Sequence, residues 1–150
     1  MLISRQDIAI LIFYFLGFSK IRNLFFRLQH RPITRFVMFH DILPETEHCF
    51  KAKMQFLKLC TNVVSIDDFF AGRLCSEKIN VVITFDDGFK SWISYAVPIL
   101  KRLGMPATFF VTSGFVGLSK VKEARFVQNN LFLNPNRKKT TGGLSFEDLK

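Results

Sequence analysis

The chain has 150 residues, 49% apolar and 22% charged, a balance that excludes an intrinsically disordered polypeptide. It also excludes collagen-like, mucin-like and disulfide-rich small scaffolds, since only 8 Gly, 5 Pro and 3 Cys occur against 19 Phe. The net charge of +9 is unevenly placed: residues 1–35 carry +5, residues 120–139 carry +5, and residues 36–119 sum to zero.

Residues 8–18 read IAILIFYFLGF, eleven consecutive apolar positions, short of the ~18–20 that a membrane span needs. The flanks do not suit a cleaved leader: Arg5 and Asp7 precede the run, and no small-x-small site follows it. Ile21, Leu24, Phe25 and Leu28 then recur at helical spacing among Lys20, Arg22 and Arg27. The pattern predicts an amphipathic helix over roughly 6–30. Such a helix either packs on the body or lies on an anionic membrane surface. Basic flanks around a neutral body are not the footprint of a compact nucleic-acid reader, which interleaves cations and aromatics on one face. The expected division is a helical segment over 1–31 and a body over 32–150.

Pro32 ends the first helix, and RFVMF (35–39) reads as a buried strand followed by His40-Asp41. Phe50, Met54, Leu57 and Cys60 fall on one face of a helix over 49–60, and NVVS (62–65) is a short strand. Ser65 and Asp68 form a capping signal for a short helix that Gly72 stops. NVVITF (80–85) is a strand apolar on both faces that runs into Asp86-Asp87-Gly88. Pro98 opens a helix carrying Ile99, Leu100 and Leu103, with Gly104 at its end. ATFFV (107–111) is another strong strand, NPNRKKTTGG (134–143) is a loop, and Ser145 with Asp148 caps a helix starting at Phe146. Cys49, Cys60 and Cys75 are odd in number and lack a C-x-x-C spacing, so they read as unpaired thiols.

Strands that alternate with helices, and are apolar on both faces, predict an α/β fold with a parallel sheet or barrel. In such folds chemistry sits at the C-terminal strand ends. His40-Asp41, Asp86-Asp87 and Thr112-Ser113 all occupy such ends. Two adjacent carboxylates at the end of a buried strand are costly to desolvate. On spacing alone, a surface turn and a catalytic pair are equally good readings of Asp-Asp-Gly.

The stretch TFDDGFKSWISYAVPILKRLGMPATFFVTSGFVG (84–117) resembles the first signature region of the polysaccharide deacetylase family, the NodB-homology domain. VMFHDI (37–42) resembles the strand-end Y-H-x-[IV] segment of many members. The resemblance covers roughly residues 34–117 and implies the N-terminal part of a distorted (β/α) barrel. It further implies a divalent metal, usually zinc, and hydrolysis of N-acetyl groups on an amino-sugar polysaccharide. Carried over residue by residue, Asp86 matches the general base and Asp87 the metal-binding carboxylate, with His40 and Asp41 near the pocket.

The chain departs from the family pattern downstream. Its histidines are His30, His40 and His48, and none forms the H-[ST]-x-x-H pair that supplies two metal ligands in the family. The expectation is a truncated domain holding the base and one ligand, with little or no activity. Two other readings compete. One is a non-catalytic membrane-surface protein that uses the basic N-terminus. The other is a magnesium-dependent phosphoryl-transfer domain, although D-x-D-G-T would suit that chemistry better than D-D-G-F.

Overall fold

The computed structural model describes Ile21, Leu24, Phe25, Gln29 and residues 31–131 and 141–150. The helix expected over 6–30 lies outside these residues except at four positions. Of those, Ile21, Leu24 and Phe25 are helical and 63%, 58% and 57% exposed. Most of the loop expected over 134–143 also lies outside the described residues.

Four strands form one sheet: β1 (Thr34–Phe39), β2 (Asn62–Val64), β3 (Asn80–Asp87) and β4 (Thr108–Val111). Between and after them come α1 (Glu47–Cys60), α2 (Ile66–Phe70), α3 (Val97–Leu103) and α4 (Lys120–Asn130). Every pairing is parallel, and β3 takes part in all three. Thr34–Phe39 align with Asn80–Phe85, Asn62–Val64 with Asn80–Val82, and Thr108–Val111 with Thr84–Asp87. One edge of a strand cannot serve two partners at the same residues. β1 therefore lines one edge of β3, while β2 and β4 divide the other edge between its two halves. The sheet is the expected α/β arrangement, and β3 at its centre is buried from Asn80 through Phe85.

The core lies on one face of this sheet. Phe39, Phe85 and Phe109 stand side by side in register across β1, β3 and β4. Phe85 stacks on both neighbours, with ring centroids 5.4 and 4.8 Å away. Phe50 of α1 and Trp92 meet Phe85 edge-on at 6.0 and 5.9 Å. Such pairs contribute about 0.5–1.5 kcal/mol each beyond burial, which makes this cluster the best-defined part of the interior.

The opposite face corrects one expectation. β1 is not a buried strand: Phe36 and Met38 are 52% and 57% exposed. Phe110, opposite Asp86 in register, is 50% exposed on the same side. The apolar run of β1 continues on both faces; on the second face Phe69 of α2 meets Phe36 edge-on at 5.1 Å and Val82 is buried, while Met38 and Phe110 stay half-exposed.

The helical segments also refine the sequence reading. Ser65 caps α2 as expected, its Oγ accepting from the Asp68 N–H at 3.0 Å. Pro98 sits in the first turn of α3, as expected, but α3 is not where the helical run begins. A π-helical turn at Trp92–Ala96 leads directly into α3, so the proline sits inside a continuous helical run. The wider turn shifts the backbone bonding just where proline has no N–H to give. Ser145 and Asp148 form the expected reciprocal cap, and the turn that follows is a single 3-10 turn at Glu147–Leu149. α4 was not anticipated, because its sequence KVKEARFVQNN carries few apolar residues; Phe126 and Val127 are its inward anchors. Cys49, Cys60 and Cys75 are all free thiols, the first two exposed.

Asn80 ties the start of the sheet together. It is fully buried, its Oδ1 accepts from Asn62 Nδ2 and Cys75 N at 2.8 and 2.9 Å, and its Nδ2 donates to Cys75 O at 2.7 Å. Replacing Asn80 by Ala strands the Cys75 N–H and carbonyl. The expected loss is about 3 kcal/mol of unfolding free energy, read from a lowered urea midpoint at constant slope.

Candidate functional site

The site grows out of the C-terminal end of β3. The strand is held on both sides up to Phe85, by β1 and β4, so its direction there is fixed. Pairing with β4 continues through Asp86 and Asp87. The backbone then turns sharply. Asp87 has φ +88° and Gly88 φ +105°. A side chain at Gly88 would be strained, and its Cβ would lie 3.3 Å from Val111 Cγ1. Asp87 carries a side chain in a region that costs about 1–3 kcal/mol and persists only where the surroundings over-determine it. Here the Thr112 N–H bonds the Asp87 carbonyl at 3.0 Å and the Leu144 N–H bonds the Gly88 carbonyl at 2.9 Å.

The two carboxylates each leave one oxygen unsatisfied. Asp86 Oδ1 and Asp87 Oδ2 are buried atoms without a hydrogen-bond partner among the described residues. Burial raises the Asp87 carboxyl above its ordinary value, His40 pulls it back, and the neighbouring charge of Asp86 adds to the rise. The His40 imidazole lies alongside, with Nε2 4.0 Å from Asp87 Oδ2. The structure thus brings His40, Asp86 and Asp87 to one strand-end region. Asp41 is engaged elsewhere: its carboxylate accepts from the Thr141 hydroxyl at 2.6 Å and the Thr141 N–H at 3.1 Å. Thr112 contributes its backbone, and Ser113 begins a 3-10 turn.

One component escaped the sequence reading. Residues Thr141–Leu144 form a strap across the turn. Gly142 O accepts from the Lys90 N–H at 2.8 Å, Leu144 O accepts from the Gly117 N–H at 2.9 Å, and Gly143 N donates to Glu123 Oε1 at 3.0 Å. A Cβ at Gly143 would lie 2.8 Å from the Phe115 carbonyl oxygen, so the strap needs glycine there. The Gly142-Gly143 pair was the only signal in the sequence, and it reads equally well as a loop.

Two buried carboxylate oxygens lacking protein partners, with an imidazole alongside, suit a bound cation. Asp87 and His40 are donor types that a divalent metal accepts. Among the described residues, however, no group of three or more His, Cys, Asp or Glu side chains converges on one point. These residues are at most a partial donor set for a metal.

Comparison with known proteins bears on this arrangement. Residues 73–130 match the profile of the family described as Polysaccharide deacetylase. The solved structure of IcaB from Ammonifex degensii superimposes with a TM-score of 0.51 at 29% identity, covering 57% of this chain and 41% of that one. The chain therefore spans less than half the length of that structure. No curated protein matches the sequence. The profile thus shows a likeness to the polysaccharide deacetylases over residues 73–130, and the superposition shows a partial deacetylase-type barrel fold.

The pH dependence of stability follows from Asp87. Its carboxyl is raised in the folded state, so its share of stability is full below the ordinary value of 3.8 and is lost as pH rises through the raised value. In chelator-treated buffer, Asp87→Asn is expected to melt higher than the parent at about pH 7, with the difference closing towards about pH 3. A constant difference across the range would show that Asp87 is not held against its charge.

Proposed function

We propose that this chain, similar over residues 73–130 to the polysaccharide deacetylases, provides the carboxylate half of a hydrolytic site for N-acetyl groups on an amino-sugar polymer. The observation that carries the proposal is the half-buried pair Asp86-Asp87 on a strained strand-end turn, one carboxylate oxygen of each buried without a partner among the described residues, with His40 Nε2 4.0 Å from Asp87. Desolvated carboxylates kept at a backbone cost are a feature of sites that do chemistry.

The reaction adds water across the amide C–N bond and yields acetate and a free amine. Asp86 takes a proton from the attacking water. In this reading His40, whose Nε2 lies 4.0 Å from Asp87 Oδ2, gives a proton to the departing nitrogen. Asp87 would hold a divalent ion, which when bound supplies polarisation of the acetamide carbonyl and a more acidic water. The sequence has no H-x-x-x-H pair, so the metal is held weakly and turnover by these 150 residues is slow. Added zinc is expected to raise the melting midpoint of the parent and not of Asp87→Asn. Acetate release from N-acetylated oligosaccharides is expected to be slow, zinc-dependent and reduced about a hundredfold or more in Asp86→Asn. Acetate release indifferent to Asp86→Asn, or a zinc shift retained in Asp87→Asn, overturns the assignment.

A second reading concerns location. Ile21, Leu24 and Phe25 are exposed apolar residues at helical spacing within a flank carrying +5. No helix among the described residues is long and apolar enough to cross a membrane. Attachment to an anionic membrane surface is the function this pattern supports, alone or alongside catalysis. Flotation with anionic vesicles at low salt is expected to carry the chain, and Ile21→Ser/Phe25→Ser to release it; a chain that stays at the bottom of the gradient ends this reading.

A further inference from the structure

Resting on the catalytic reading above, we infer that Asp41, Ser91 and Thr141 form a positioning ring that sets the His40 imidazole against the Asp86-Asp87 pair. The His40 side chain itself is anchored by no hydrogen bond among the described residues. Its one close polar partner, Asp87 Oδ2, is 4.0 Å away, beyond hydrogen-bond length. The placement of the ring must therefore come through the backbone of residues 40–42.

Residues 40–42 are held in succession, through the backbone at His40 and Ile42 and through the side chain at Asp41. The His40 carbonyl accepts from Trp92 Nε1 at 2.9 Å. The Asp41 carboxylate accepts both the hydroxyl and the N–H of Thr141. The Ile42 N–H donates to Ser91 Oγ at 3.0 Å. The ring then closes on itself, because the Ser91 N–H donates to Thr141 Oγ1 at 3.1 Å. Three segments separated by about fifty residues each meet here: the exit of β1, the first turn after Asp-Asp-Gly, and the strap.

A strand-end loop free to sample other conformations would spread His40 over many positions. The ring removes that freedom using side-chain chemistry specific to these positions. Ser91 is 1% exposed, so its hydroxyl is sealed inside and must be bonded. The Thr141 hydroxyl is spent twice, giving its proton to Asp41 and taking one from Ser91. Asp41 and Thr141 are positioning residues in this scheme and touch no reacting atom.

The test compares the full chain with Thr141→Val, Thr141→Ser and Asp41→Asn. The readout is the rate at which diethyl pyrocarbonate modifies His40, followed by mass spectrometry with His48 as the internal reference, alongside the melting midpoint. Thr141→Val and Asp41→Asn are expected to change the His40-to-His48 rate ratio about fivefold, the effect of losing one net hydrogen bond. Thr141→Ser, which keeps the hydroxyl, is expected to retain the parent ratio. A lowered midpoint with an unchanged ratio would make the ring merely structural and overturn the inference. Should Thr141→Val fail to fold, Asp41→Asn decides by the same ratio. A chain that passes this test yet releases no acetate fails the deacetylase reading alone, so the two outcomes stay separate.

Discussion

Everything in this molecule depends on the parallel pairing of β3 along both of its edges. A strand bonded on two sides and covered by apolar side chains cannot drift, and its last residues emerge at a fixed place and angle. The Phe39–Phe85–Phe109 row sits one residue before Asp86. The stiffest part of the core and the most polar part of the strand are therefore adjacent, and the aromatic packing is what keeps two unwilling carboxylates in position.

Those carboxylates are a local cost. Each orphaned buried oxygen costs about 1–3 kcal/mol, and the backbone at Asp87 adds a strained conformation. The surroundings offset this through backbone hydrogen bonds from two sides, Thr112 to Asp87 and Leu144 to Gly88. The β4 exit and the strap thus serve the same end from opposite directions. The turn is thus over-determined by its neighbours and left polar inside.

The strap gives the site a second level of organisation. It joins α4, through Glu123, to the turn after β3 and to the exit of β1. Residues a hundred positions apart meet at Asp41 and Thr141. The exposed face bearing Phe36, Met38 and Phe110 contrasts with this. One side of the sheet is covered by the aromatic core, while the other is covered in part, by Phe69 of α2 against Phe36, and keeps Met38 and Phe110 half-exposed.

How much of this was legible in the sequence varies with the range of the interaction involved. The strands at 80–85 and 107–111, the Ser65 and Ser145 caps, the Gly104 stop and the Asp-Asp-Gly motif were readable because each depends on residues within a few positions of one another. The π-helical turn before Pro98 was not, because which carbonyl a proline leaves unpaired depends on how the preceding turn is wound. Nor was α4, whose few apolar residues become meaningful only when Phe126 stacks on Phe115, 5.3 Å away.

By itself the sequence determined that the chain builds alternating helices and strands, and that two carboxylates end its most apolar strand. Only the tertiary structure decided that β3 is central and β1 half-exposed, that His40 faces Asp87 while Asp41 turns to Thr141, and that a glycine strap closes over the turn. The physical reason is that hydrophobic periodicity and capping are encoded locally, whereas burial, desolvation and strand order depend on which distant segments come to lie side by side.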